Sequence, residues 1–327
     1  MHRFSSCQSV RPITLPGAGV PTTVVARVRA GWSGGSVGGG LTSFFGLLLL
    51  VGREGLSSRA MVATLLHEIP LQGGDVTDGV VRVGDTVRRP ASTSTPAVHA
   101  LLRHLEAVGF EGAPRVVGMD GLGREILTYV PGTTGVRLES VTDEALAGLA
   151  VLVREFHDAT AGFPLTLEGW AYGSNDDKAP EVIGHCDLTP DNVIFRHDGD
   201  GGPAAVPRAL IDFDLARPTT RLFDIVTTLR HWAPIADPVD RHPLLRDLDV
   251  GERLRLFCDA YGVPPRDRRR LLDLARLRFH RSYDVMRTRA STGGGWAKMW
   301  AGGAGERIRR AAAWLDTYED ELHAHLV

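Results

Sequence analysis

From Ile69 onward the chain carries two alternating kinds of hydrophobic pattern. Short β-branched runs, Val80–Val83 and Thr86–Val87, are separated by Gly84-Asp85, a dipeptide suited to a tight hairpin. Val98, Leu101, Leu102, Leu105 and Val108 then recur at helical spacing, with Thr95 as a candidate cap, Pro96 at the first helical position and Gly109 as the stop. Residues 114–118 and 124–130 predict two further strands, closed by Pro131-Gly132. Leu146, Leu149, Leu152, Val153 and Phe156 predict an amphipathic helix over 141–160. Farther along, residues 244–261, 266–289 and 305–326 show the same 3.6-residue period. These elements predict an α+β chain with a small β-rich lobe over 66–132 and a larger, mainly helical lobe over 133–327.

Residues 1–65 differ. They hold a glycine-rich run, Gly31 to Gly40, and an apolar stretch, Leu41–Val51, with no sustained period. That stretch is shorter than the about 20 residues a bilayer requires, and it begins too late for a signal peptide. The expectation is an extension without regular structure, or a start codon placed upstream of the functional one, with Met61 as the alternative start. Membrane attachment is disfavoured.

Composition narrows the function. With 327 residues and 43% hydrophobic content there is material for a sizeable core, and a net charge of −2 lacks the basic field of a general nucleic-acid binder. Three scattered cysteines, Cys7, Cys186 and Cys258, form neither a disulfide framework nor a zinc set, which fits a reducing cytoplasm. Lysine is nearly absent: Lys178 and Lys298 are the only ones, so arginine carries the positive charge.

The informative stretch is Val182 to Phe195, where apolar residues flank the polar loop His-Cys-Asp-Leu-Thr-Pro-Asp-Asn. Ala209 to Asp214 follows as a short apolar strand ending in two carboxylates. This order brings Asp187, Asn192 and Asp212 to neighbouring strand ends, a set of hard oxygen donors suited to Mg²⁺ bridging phosphates. Upstream, Gly73, Gly74 and Gly79 sit in the turn before the first strand, where backbone N–H groups can approach an anion. An ordinary glycine turn explains them equally well.

The spacing His185-x-Asp187-x4-Asn192, followed by Ile211-Asp212-Phe213-Asp214, resembles the motifs of the aminoglycoside phosphotransferase/choline kinase superfamily over about residues 68–320. The resemblance implies a protein kinase-like two-lobed fold and transfer of the γ-phosphate of ATP (or GTP) to a hydroxyl of a small molecule. It implies Asp187 as the catalytic carboxylate, Asn192 and Asp212 as Mg²⁺ ligands, and His185 as a brace of the loop. Asp224 would hold the loop through backbone N–H groups, and His157 would pack beneath it. Backbone groups near Thr128 and Val130 would meet adenine, and Gly73 and Gly74 would cover phosphates. One departure matters: no lysine precedes Lys178, so Arg88 or Arg89 must hold the nucleotide phosphates. Arg88 is favoured, on the same strand face as Thr86. The helix glutamate that usually pairs this cation has no clear counterpart, since Glu106 lies at the helix end.

Two other readings compete. One is a catalytically weak, nucleotide-binding immunity or regulatory protein, for which the missing lysine argues and the intact Asp187, Asn192 and Asp212 do not. The other is metal-dependent hydrolysis, disfavoured because the motif offers one histidine. Cys186 reads as a small buried residue rather than a nucleophile. The arginine-rich helix over 266–289 reads as a solvated face above a leucine stripe, while Asp191, Asp214, Asp284 and the 316–321 cluster could meet a cationic acceptor. The identity of the acceptor is not legible in the sequence.

Overall fold

The computed structural model describes residues 23–27, 47–51, 67–71, 79–197 and 205–327. The chain divides into two compact units, Met1–Ile69 and Pro70–Val327. In the first, β1 (Thr23–Arg27) and β2 (Leu47–Val51) pair antiparallel, with Thr23 opposite Val51. This pair departs from the expectation of no regular structure, and its TVVAR and LLLLV segments have the apolar and β-branched content that strands favour. The short β3 (Ile69–Pro70) lies at the boundary between the units. Gly73 and Gly74 lie outside the described residues.

The second unit begins with a small antiparallel sheet. β4 (Val81–Val83) and β5 (Thr86–Pro90) form the hairpin that Gly84-Asp85 predicts. β6 (Val116–Met119) and β7 (Arg124–Thr128) complete the order β4-β5-β7-β6. β5 and β7 pair with Thr86 opposite Thr128, Arg88 opposite Ile126 and Arg89 opposite Glu125. Between β5 and β6, α1 (Thr95–Ala107) buries Leu101, Leu102 and Leu105 completely. Thr95 is not its cap: the residue is buried, and its hydroxyl accepts from the Ser92 N–H instead.

β8 (Thr133–Thr134) leads into α2 (Asp143–Thr160), which is capped by Thr142 accepting from the Ala145 N–H and carries acidic residues in its first turn. β9 (Val182–Gly184) and β10 (Val193–His197) bracket the polar loop. β10 pairs with β8 and with β11 (Ala205–Leu210), and β9 pairs with β12 (Arg217–Thr219). The apolar strand expected over 209–214 ends at Leu210; Asp212 turns left-handed and a 3₁₀ turn, Phe213–Leu215, follows.

A helix not foreseen in the sequence, α3 (Arg221–Trp232), starts at a Thr220 cap and buries Phe223, Asp224 and Trp232. α4 (Val250–Tyr261) starts later than expected because Asp249 caps it at Glu252. The helix expected over 266–289 is two: α5 (Pro265–Arg268) and α6 (Leu271–Ala290), broken at a turn in which the Arg270 N–H bonds the Asp267 carbonyl. α7 (Gly294–Ala301) begins in the glycine-rich segment between the two longer helices, and α8 (Ala304–Leu326) closes the chain. α2 packs on α4 and on β11, α6 packs on α3 and α8, and one continuous apolar core runs from Leu101 through Phe156 and Trp232 to Leu326. No helix among the described residues is long and apolar enough to cross a membrane.

Candidate active site

The loop between β9 and β10 is held from below by a single carboxylate. Asp224, fully buried near the start of α3, accepts from the His185 N–H at 2.9 Å and the Cys186 N–H at 2.7 Å. Its Oδ2 also accepts from His157 Nε2 at 2.9 Å, and the Tyr261 hydroxyl lies 2.8 Å from His157 Nδ1. Burial opposes the Asp224 charge, but His157, His185 and the Cys186 N–H outweigh it and hold the carboxyl below its usual range. Gly184 makes this approach possible, because a Cβ there would fall 2.5 Å from the Thr219 methyl and 2.9 Å from the Asp224 carboxyl carbon.

Above this anchor the chemistry-bearing residues converge. Asn192 Nδ2 donates to the Asp187 carbonyl at 2.8 Å and to its carboxylate at 3.1 Å, leaving the Asn192 carboxamide oxygen free of these bonds. The Ile211 N–H donates to the Asn192 carbonyl, and His185 Nε2 donates to the Ile211 carbonyl at 3.0 Å. Asp187, Asn192 and Asp212 are thus tied through three short links. His185 is fully buried, and desolvation keeps its ring neutral, its pKa below the ordinary value despite nearby carboxylates. Cys186 (φ 61°) and Asp212 (φ 63°) are the non-glycine residues with left-handed backbone among the described residues, and both lie in this site. Such backbone persists only where surrounding bonds over-determine it.

The cation facing this centre is Arg89, which corrects the expectation of Arg88. Arg89 is 8% exposed; its Nη1 donates to Asp212 Oδ1 at 2.8 Å, its Nη2 meets the Asp214 carboxylate, and its Nε lies 3.3 Å from Glu125. Arg88 points the other way, toward Asp120 at 3.8 Å. Side chains alternate along a strand, so one of the two arginines had to face inward; the inner position is the one opposite Glu125. Glu125 is buried and its other oxygen lies 2.8 Å from His99 Nε2 on α1. A histidine–glutamate pair therefore does the bracing that a glutamate on α1 would have supplied. Glu125 escaped the sequence reading, although its alternation with Leu127 on the buried face of β7 was visible.

Electrostatics divide the carboxylates. Burial, then the neighbouring Asp212, raise the Asp187 carboxyl to about 6, while Arg278, Arg217 and the Asn192 bond pull it back. Burial likewise raises Asp214 to about 6 against the attraction of Arg89. Burial disfavours the Arg89 charge, yet Asp212, Asp214 and Glu125 hold it protonated, above the ordinary guanidinium value. Burial also raises the Cys186 thiol to about 12, so it carries no thiolate at neutral pH.

The expected hinge residues are unequal. Both the N–H and the hydroxyl of Thr128 are spent on the Arg115 backbone, and the Tyr129 N–H is spent on the Asp85 carbonyl. Val130, just beyond β7, makes no backbone hydrogen bond among the described residues.

A two-lobed, kinase-like molecule with a hard-oxygen cluster at the end of its catalytic-type loop is the class this geometry defines. Residues 173–257 match the model of the phosphotransferase enzyme family. The chain is 31% identical over 283 residues to the trifolitoxin immunity protein of Rhizobium leguminosarum bv. trifolii, covering 79% of this chain and 98% of that protein. It belongs to the phosphotransferase enzyme family. Two solved structures share the fold: a choline/ethanolamine kinase family protein from Mesorhizobium loti (TM-score 0.53, 17% identity, 82% of this chain and 94% of that one), and the amicoumacin kinase hAmiN in complex with AMP-PNP, Ca²⁺ and Ami (TM-score 0.51, 13% identity, 78% and 91%).

Proposed function

We propose that this chain is a phosphotransferase that moves the γ-phosphoryl group of ATP (or GTP) to a hydroxyl of a small molecule. The observation that carries this reading is the linkage of Asp187 to Asn192 and of Asn192 to the strand end bearing Asp212. Asp187, with its carboxyl near 6, is mostly ionised at neutral pH and basic enough to take the acceptor hydroxyl proton. The hydroxyl oxygen then bonds to the γ-phosphorus; the bond to the β–γ bridging oxygen breaks, and its electron pair leaves with the nucleoside diphosphate.

Asn192 and Asp212 fit a Mg²⁺ ion, because the carboxamide oxygen and the second Asp212 oxygen are hard donors free of the hydrogen bonds described. Such an ion would supply charge neutralisation on the transferred phosphoryl group. Arg89, braced by Glu125, aims two N–H groups at the same carboxylates and is the cation within reach of the nucleotide phosphates. Val130 is the hinge position with backbone groups left for adenine; Gly73 and Gly74 keep their assignment as phosphate-covering residues. The complex of hAmiN with AMP-PNP and Ca²⁺ supports a nucleotide and a divalent ion in a fold of this kind.

A second reading has its own support. The relative from Rhizobium is named an immunity protein, and Arg89 engages both Asp212 and Asp214. A chain that binds nucleotide with little turnover would fit both facts. Release of nucleoside diphosphate from ATP and Mg²⁺ across an acceptor panel separates the two, with Asp187→Asn as control. Acceptor-dependent turnover abolished by this substitution is the expected result; turnover that survives it would sink the role of Asp187.

A further inference from the structure

The arginines of α6 are of two kinds. On the outer side Arg276 bonds Asp316 and Glu319, and Arg287 lies 3.4 Å from Asp284. Arg281, toward the loop at 175–177, holds Asp177 and the Asn175 carbonyl. Several of the acidic residues that were candidates for a cationic acceptor are thereby paired: Asp284, Asp316 and Glu319 with these arginines, and Asp214 with Arg89.

On the inner side the cations have no such partners. Arg278 donates from Nε to the Thr227 hydroxyl at 3.2 Å, and no carboxylate among the described residues lies within 4.0 Å of Arg278, Arg217, Arg230 or Arg289. Arg217 leaves β12 at the position paired with Gly184, directly beside the start of the catalytic loop. Its buried Nε has no hydrogen-bond partner. Tyr172 lies between two of these guanidinium groups, 5.0 Å from Arg217 and 4.2 Å from Arg289. Asp187 acts electrostatically on Tyr172, Arg217 and Arg278, and Arg289 joins this group through its contact with the Tyr172 ring.

Asp187, with Asp212 beside it, faces Arg217 and Arg278, and none of Arg217, Arg278 and Arg289 has a carboxylate within 4.0 Å among the described residues to hold it as an ion pair. Burial, then repulsion from Arg230, pushes Arg278 down to about 9; it stays charged at neutral pH but carries a cost that a bound anion would relieve. Polycations would meet like charge here.

We propose that the arginines beside Asp187 receive an acceptor bearing an anionic group, a carboxylate or a phosphate ester, which seats on Arg217, Arg278 and Arg289 next to Tyr172 while its hydroxyl faces Asp187. The hydroxyl's role rests on the phosphotransferase reading; the anion seat does not. Transfer to such an acceptor forms the oxygen–phosphorus bond described above, with the proton passing to Asp187 and the leaving electron pair to the nucleoside diphosphate.

The test uses the full chain saturated with ADP and Mg²⁺, so that the nucleotide phosphate positions are filled. Glycerate, glycerol 3-phosphate, neutral glycerol and kanamycin are titrated in parallel, with melting temperature as the readout. The two anions should raise it and glycerol and kanamycin should not; the larger response tells carboxylate from phosphate. Arg278→Gln and, independently, Arg289→Gln should weaken the response at least about tenfold, the scale of one lost charge-assisted contact. Arg276→Gln, on the outer face, should leave it intact. Responses equal in wild type and both inner variants, stabilisation by kanamycin alone, or no anion response would each overturn the anion seat. A companion assay of ADP release from ATP with the same compounds bears on transfer alone: Arg278-dependent anion binding without Asp187-dependent turnover would retain the seat and reject the phosphotransferase reading.

Discussion

Two supports meet at Asp187, and they are built from opposite physics. Beneath the loop, Asp224 is surrounded by hydrogen-bond donors: two backbone N–H groups and His157, each at 2.7–2.9 Å, in a fully buried site. Across from the loop, Arg89 is surrounded by three carboxylates, two of them on the short turn after Ile211. The first is a hydrogen-bonded anchor in which each partner has one geometry, and it fixes left-handed Cys186 in place. The second is a charge cluster whose balance would change with any added cation or phosphate, since a metal bound at Asp212 would compete with Arg89. A rigid anchor beside an exchangeable charge cluster is what a site must have if its reacting carboxylate stays still while ligands come and go.

The comparison breaks most sharply at Asp187 itself. Asp187→Asn should reduce acceptor-dependent turnover by about 10²–10⁴-fold, the usual worth of a general base. Because burial raises the Asp187 carboxyl to about 6, holding it ionised at pH 7 destabilises the fold. The sign follows: a group whose folded pKa is raised above its unfolded value loses stability as pH climbs between the two. Asp187→Asn should therefore gain roughly 1–3 kcal/mol at pH 7 in urea unfolding.

Removing the anchor should act in the opposite direction. Asp224→Ala leaves His157 and two buried N–H groups unsatisfied and should cost about 3–5 kcal/mol in the same unfolding experiment. Loss of turnover without loss of stability would contradict the anchoring role.

The charge cluster is tested by its two arginines. Arg89→Met should weaken ATP binding by about tenfold or more in equilibrium titration, while Arg88→Met, which removes only a partner of Asp120 at 3.8 Å, should change it less than about twofold. Equal effects would return the phosphate-binding role to both positions.

The smallest effect is in the pH profile. The ionised form of Asp187 is the competent one, so turnover should fall by about tenfold per pH unit below about 6. In the variant Asp187→Asn that limb should vanish.

Motif spacing carried much of this site. Asp187, Asn192 and Asp212 were read from the polar loop and the short strand that follows it, while the supporting roles of His185 and Asp224 came from the resemblance to the superfamily. The elements that failed were those set by competition between neighbours. The strand expected to reach Asp214 stops at Leu210, because the Ile211 carbonyl is drawn to His185 and the backbone then turns. The helix over 266–289 splits because Arg270 closes a turn on Asp267. Helix α3 was overlooked although Thr220 caps it, since its apolar stripe is interrupted by the buried Asp224, Thr227 and Thr228.

What the sequence by itself determined is the list of candidate site residues and the order of lobes, since both depend on local spacing and on period. Only the tertiary structure decided which arginine faces them. Arg88 and Arg89 are adjacent and chemically identical; Glu125 on β7, paired by register with Arg89 and fixed by His99 on α1, makes one of them the inner cation. The same holds for α6, where the acidic partners supplied by α8 and the 175–177 loop pair with outer arginines and leave Arg278, bonded to the Thr227 hydroxyl, without a carboxylate partner among the described residues. Charge type is written in the chain, but which charges remain unpaired is settled by what packs beside them.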